Sequence, residues 1–276
     1  MGILLSRLLI ILNDKEPGST DYFIALTLLM NFSSLSDMTI GEVAEKCYVS
    51  KSKISKFIRS INFEDYADFK AAATFSKTRK GYDLSYNKNI MEYIEKDGMK
   101  NYVNILHKDI DECLNNIDMK EIEKLVDYLI KYEKVAAFGL LFSEMAALDL
   151  QAKLSYNGKF IITNLDDIKQ DTFIKKSKDD TLIIIYSNSG LYLKKYMLDE
   201  FQLKKNFSNI KSKVVLITSN LEMVNDPLVD VCVTFKHTTS IQTHSIIYQL
   251  INDLITLKYR EKTNKKCKTI ETNVSN

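Results

Sequence analysis

Through residues 1–78 the apolar positions recur at three- and four-residue spacing, as in Leu5, Leu8, Leu9 and Leu12 and again in Phe23, Leu26, Leu29 and Met30. That is the period of helices burying one face, and no strand-like alternation interrupts it. The text then turns polar, with Gly81 and several asparagines, and predicts a linker over 79–89. Helical spacing returns over 90–131, for instance in Ile117, Ile122, Leu125, Val126 and Leu129. Beyond it come short apolar runs: KVAAFG (134–139), KFIITNL (159–165), TLIIIYS (181–187), KVVLITS (213–219) and DVCVTFK (230–236). Helix-length stretches separate them. The pattern predicts an all-α N-terminal domain followed by an α/β domain over 90–262, built on a five-stranded parallel sheet flanked by helices. Residues 263–276 are polar and read as a flexible tail.

The apolar opening, MGILLSRLLIILNDKE, is interrupted by Arg7 and closed at once by Asp14, Lys15 and Glu16. It lacks a small-residue cleavage site and the length of a membrane span, so it reads as an amphipathic helix of a folded domain. Net charge is only +2, so any surface for nucleic acid must be local. The four cysteines (Cys47, Cys113, Cys232, Cys267) stand singly, with no CxxC pair. The expectation is a cytoplasmic protein with neither a metal site nor a disulfide framework, with no cofactor and no membrane partner.

One local basic surface stands out. Thr39 and Glu42 have capping-box spacing, which starts a helix at Ile40 with Ile40, Val43, Ala44 and Cys47 as its buried stripe. Val49 closes a turn, and Ser50 is a good N-cap for a second helix that buries Ile54, Phe57, Ile58 and Ile61. The outer face of that helix carries Lys51, Ser52, Lys53, Ser55, Lys56 and Arg59. From Lys46 to Phe63 there are five basic residues and no acidic one. Two short helices with a basic, hydroxyl-rich outer face suit a helix-turn-helix that reads duplex DNA. A solvated basic face on a helical domain is the other reading.

The second signal lies in LIIIYSNSGLY (182–192), where an apolar run breaks into Ser187, Asn188, Ser189 and Gly190. Small hydroxyl residues and a glycine at the carboxyl end of a parallel strand suit an anion such as phosphate. A helix is expected from near Leu191, and Ser189 could simply cap it. Other strand ends carry similar residues: Gly139 and Ser143 after the first run, Thr218 and Ser219 after the fourth.

Taken together, the chain resembles an RpiR-type transcriptional regulator, a family joining an N-terminal helix-turn-helix to a C-terminal SIS (sugar isomerase) domain. The family's recognition segment reads about S-x-x-T-I-S-R-F-x-x-x-L-G-F, and here it is SKSKISKFIRSINF, followed by Tyr66, Phe69 and Lys70. Lys53 stands at the usual threonine and Asn62 at the glycine, and asparagine tolerates left-handed backbone. The resemblance implies a phosphosugar held by a G-x-G-x-S turn and an S-x-S-G-x-T turn. Gly139 and Ser143 match the first, with Leu141 at its second glycine. Ser187, Ser189 and Gly190 match the other, with Tyr192 at its threonine.

These features imply a ligand-responsive regulator, a homodimer or homotetramer binding an inverted-repeat operator, with a sugar phosphate or related metabolite as effector. The alternative is a sugar-phosphate isomerase. That chemistry needs a base near the pocket; of the three histidines, His107, His237 and His244, it is His244, opening the final helix, that could project toward a ligand. A lone histidine on an amphipathic helix is more often a packing residue, so no catalytic residue is expected.

Overall fold

The capping box at Thr39 forms as the spacing predicts. Thr39 Oγ1 accepts from the Glu42 amide at 3.3 Å, while Glu42 Oε2 accepts from the Thr39 amide at 2.7 Å. In the computed structural model, which describes residues 3–74, 86–193, 197–198, 201–202, 207 and 210–274, the chain divides into two units. One comprises residues 1–96 with 165–169 and 196–203, and the other comprises 97–164, 170–195 and 204–276.

The first unit is helical: α1 (Ile3–Asp14), α2 (Thr20–Met30), a 3-10 turn (Phe32–Asp37), α3 (Ile40–Lys46), α4 (Lys51–Ser60), α5 (Tyr66–Thr74) and α6 (Glu92–Asp97). Leu4, Leu8, Ile24, Ala25, Leu28, Leu35, Ile54, Phe57, Ile58 and Phe69 are buried. Helices α3 and α4 end alike. Val49 N–H returns to Ala44 O at 3.0 Å around Tyr48 (φ 50°), and Phe63 N–H returns to Ile58 O at 3.2 Å around Asn62 (φ 64°). This closure needs a left-handed residue. Asn62 meets that need cheaply, whereas Tyr48 does so at a cost of about 1 kcal/mol. Of the linker expected over 79–89, residues 79–85 lie outside the described residues; a π-helical turn spans Asn87–Met91.

The second unit begins with α7 (Met99–Asn116) and α8 (Met119–Lys131). Strands β1 (Lys134–Phe138), β2 (Thr181–Tyr186), β5 (Lys213–Thr218) and β6 (Val231–Thr234) form a parallel sheet in the order β1-β2-β5-β6. Strands β3 (Met197–Leu198) and β4 (Phe201–Gln202) form a separate antiparallel pair, in the stretch that belongs to the first unit. Helices α9 (Phe142–Ser155), α10 (Asp167–Lys176) and α11 (His244–Val274) complete the order, and α11 continues past 262. One face of the sheet packs on α8, α9 and α11 through Ile122, Leu129, Leu150, Ile184, Ile247 and Ile251. The other buries Phe138, Ile174, Ile185, Leu216 and Met223. Such two-sided burial explains the uninterrupted apolar strands.

The expected fifth strand is a correction. Among the described residues the sheet has four strands, and KFIITNL contributes one bridge: Ile162 N–H to Val135 O at 2.9 Å and Ala137 N–H to Ile162 O at 2.8 Å. Polar side-chain bonds draw the chain off the ladder after Ile162. Thr163 Oγ1 donates to Glu144, and Asn164 O accepts from Gln170 Nε2. No described helix is long and apolar enough to cross a membrane.

Candidate functional site

The residues expected on DNA all lie on α4 or its N-terminus. Ser50 Oγ caps the helix by accepting from Lys53 N–H at 3.2 Å. Ile54, Phe57 and Ile58 are buried beneath it, and Lys51, Ser52, Lys56 and Arg59 are exposed on the other side. Lys53 is half-buried and pairs with Asp21 at 2.6 Å, so part of its charge is already met by the protein. The Ser55 hydroxyl turns back to Lys51 O at 3.0 Å. The helix carries no carboxylate, so a basic stripe faces solvent.

What holds that helix from behind is Arg7. Its Nη1 donates to the Ile61 and Asn62 carbonyls at 3.1 and 2.9 Å, just past the end of α4, and its Nε and Nη2 clasp Asp167 at 3.1 and 3.0 Å. The guanidinium also lies 4.8 Å over the Phe63 ring. A cation on the closing carbonyls complements the negative end of the helix dipole. Both charged groups are buried, at 7% and 2% exposure.

The serine turn in the second unit is wired from below. Ser219 N–H, Ser219 Oγ and Thr218 Oγ1 all donate to Asn188 O, at 3.0, 2.9 and 3.0 Å. Asn220 Nδ2 donates to Ser189 O at 3.1 Å. The carbonyls of the turn are therefore drawn to the end of β5, and the amides of Asn188, Ser189 and Leu191 take no acceptor among the described residues. Gly190 N–H closes onto Ser187 O at 3.0 Å and Tyr192 N–H onto Ser187 Oγ at 3.2 Å. Gly190 has φ +75°, and a Cβ there would meet Met223 Cγ at 2.6 Å, so glycine is required twice over. Unpaired amides in a turn are the donors a phosphate uses. Thr218 is fully buried, its hydroxyl donating to Asn188 O and accepting from Asn220 N–H. Residues 191–193 form a turn rather than the first turn of a helix.

Tyr192, bulky where a threonine stands in the resembled pattern, lies in the apolar layer. It is buried, packs edge-on to Phe207 and donates to Gln170 Oε1.

The first turn is arranged differently. Gly139 and Ser143 meet so closely that a Cβ on Gly139 would sit 2.6 Å from the Ser143 carbonyl carbon. Leu141 keeps the backbone of a glycine, with φ 53° and ψ −116°, at a cost of about 1–2 kcal/mol. Ser143 is buried in the first turn of α9. Beside it Glu144, also buried, accepts from Gly139 N–H at 2.9 Å, from Gln170 Nε2 at 3.0 Å and from the Thr163 hydroxyl. A carboxylate of the chain's own thus occupies the amide end of this helix, where an external anion would otherwise be drawn. The turn at 187–190 has the unpaired amides; the turn at 139–143 does not offer the Gly139 amide. Sequence reasoning misses Glu144, Arg7 and His237, whose Nε2 stands 3.0 Å from Asn188 Oδ1.

No family model matches the chain. A protein of Thermotoga maritima named as an uncharacterised HTH-type transcriptional regulator is 22% identical over 234 residues, 84% of this chain and 82% of its own. One of the same description from Providencia stuartii is 24% identical over 69% of this chain and 67% of its own. The HTH-type regulator HexR of Escherichia coli is 22% identical over 60% of this chain and 57% of its own. Among solved structures, Vibrio vulnificus NanR complexed with ManNAc-6P overlaps 99% of this chain and 97% of its own, with a TM-score of 0.48 and 17% identity.

Proposed function

We propose that this chain, a helix-turn-helix regulator of the RpiR type, binds duplex DNA through α4 and changes that binding when a sugar phosphate or related metabolite occupies the serine turn of its SIS domain. The observation that carries the reading is the face of α4. Lys51, Ser52, Lys56 and Arg59 are exposed opposite a buried Ile54–Phe57–Ile58 stripe, on a helix with no carboxylate. Lysine and arginine there would meet phosphates, and the residues nearest the N-terminus would reach base edges. Ser55 and Lys53 would act at the edge of the contact, the latter by exchanging Asp21 for a phosphate. Two such helices in a homodimer or homotetramer would read an inverted repeat.

For the effector, the amides of Asn188, Ser189 and Leu191 with the Ser189 hydroxyl would hold the phosphate, while Ser187, Gly190 and Thr218 shape the turn. Gly139 and Ser143 would border the site. A ligand alters DNA affinity only to the extent that it binds the two DNA-affinity states unequally. The isomerase reading finds little support, since the nearest histidines are engaged in packing and in bonds to the chain itself. The test is a thermal-shift screen with sugar phosphates and amino-sugar phosphates. A ligand present at a hundred times its Kd should add about 2.7 kcal/mol of apparent stability. Ser189→Leu should lose that shift. Turnover of a ketose or aldose phosphate would instead establish the isomerase.

A further inference from the structure

The loop after β6 brings His237 against the serine turn. Nε2 of the ring lies 3.0 Å from Asn188 Oδ1, and Nδ1 lies 3.1 Å from Thr243 Oγ1. Behind them Asp109, fully buried on α7, accepts from Thr238 N–H at 2.7 Å and from the hydroxyls of Thr238 and Thr243. A carboxamide oxygen only accepts, so the hydrogen between Asn188 Oδ1 and the ring belongs to Nε2. Asp109 Oδ2 lies 3.6 Å from Nδ1. Burial, the larger influence, holds the ring's pKa below the usual histidine value, and the charge and hydrogen bond of Asp109 oppose it. The other groups facing the ring are Phe235 and His244, with centroids 5.4 and 6.2 Å away.

A carboxamide offers oxygen on one side and N–H donors on the other. Holding Asn188 by its oxygen turns its N–H pair away from the imidazole. We propose that His237 is a positioning residue of the ligand turn: it anchors Asn188 Oδ1 so that the Asn188 side-chain N–H groups join the turn's free amides as donors to an anionic group such as phosphate. The inference rests on the reading of 187–190 as a phosphate seat. Without a donor at Nε2, the carboxamide is free to rotate and place its oxygen against the anion, exchanging attraction for repulsion.

The test uses the full chain, isothermal titration with glucosamine 6-phosphate, fructose 6-phosphate and inorganic phosphate, and thermal melts of each variant. Glutamine places a donor nitrogen where Nε2 stands, and asparagine places one where Nδ1 stands. His237→Gln should therefore bind within about threefold of wild type, whereas His237→Asn should weaken binding about tenfold or more, the loss expected for one donor to a charged group. Asn188→Asp, which presents only acceptors, should weaken it at least as much. Wild-type affinity in His237→Asn, or equal losses in folded His237→Gln and His237→Asn, overturns the proposal. If His237→Asn does not fold, Asn188→Asp decides: unchanged affinity overturns the assignment and a loss supports it. If the wild-type chain binds none of the three probes, the phosphate seat itself falls, and this inference with it.

Discussion

His244, at the first position of α11, ties the stability of the second unit to pH. Burial, followed by the charge of His237, pushes its pKa down to about 4. In the unfolded chain the same ring protonates near 6.5. As pH falls below 6.5 the unfolded state therefore takes up a proton that the folded state refuses, and stability is lost down to about pH 4, by at most about 3 kcal/mol. Urea unfolding of wild type and His244→Phe at pH 7.5, 6, 5 and 4.5 should show the wild-type curve falling relative to the variant across that window; parallel curves would contradict it. At this scale the sequence is readable wherever a residue's role is backbone geometry. Asn62 can be expected to take the left-handed turn, and it does. Leu141 and Tyr192 can be marked as departures, but not what becomes of them. One endures a glycine's dihedral angles, and the other sinks into a layer whose partners, Phe207 and Gln170, are remote in sequence.

Helix α4 shows what is local in an element and what is not. Its start, end and buried stripe follow from Ser50, Asn62 and the spacing of Ile54, Phe57 and Ile58, all within one short stretch, so the helix-turn-helix is legible in the sequence by itself. Its anchor is not. Arg7 reads as a mere interruption of an apolar opening, yet it grips the carbonyls beyond α4 and an aspartate 160 residues along the chain. Removing the cation alone leaves Asp167 buried and unpaired, so Arg7→Met should cost about 3–5 kcal/mol. Arg7→Met combined with Asp167→Asn should recover part of it. A loss below about 1 kcal/mol in denaturant unfolding would show that the pair does not hold the unit together. The missing fifth strand has the same origin: KFIITNL is apolar enough for a strand, but the side-chain bonds made by Thr163 and the Asn164 carbonyl end the pairing at Ile162.

At the scale of the molecule, two units with different chemistry share one chain, a basic helix in the first and an amide-lined turn in the second. The alternation of apolar runs and helix-length stretches is enough to reveal an α/β fold behind a helical one. The use of each strand end is only half readable, because Glu144 fills one anion position from within and Asn188 is oriented by a histidine some fifty residues away, at the far end of the sheet order. The central claim is that the exposed cations of α4 meet DNA phosphates. It is tested most directly by the salt dependence of binding, measured by fluorescence anisotropy on a duplex enriched from random sequence, for wild type and Lys56→Ala. Loss of one phosphate contact should weaken binding and reduce the slope of log affinity against log salt by about 1. A Lys56→Ala protein with wild-type affinity and slope would contradict the account.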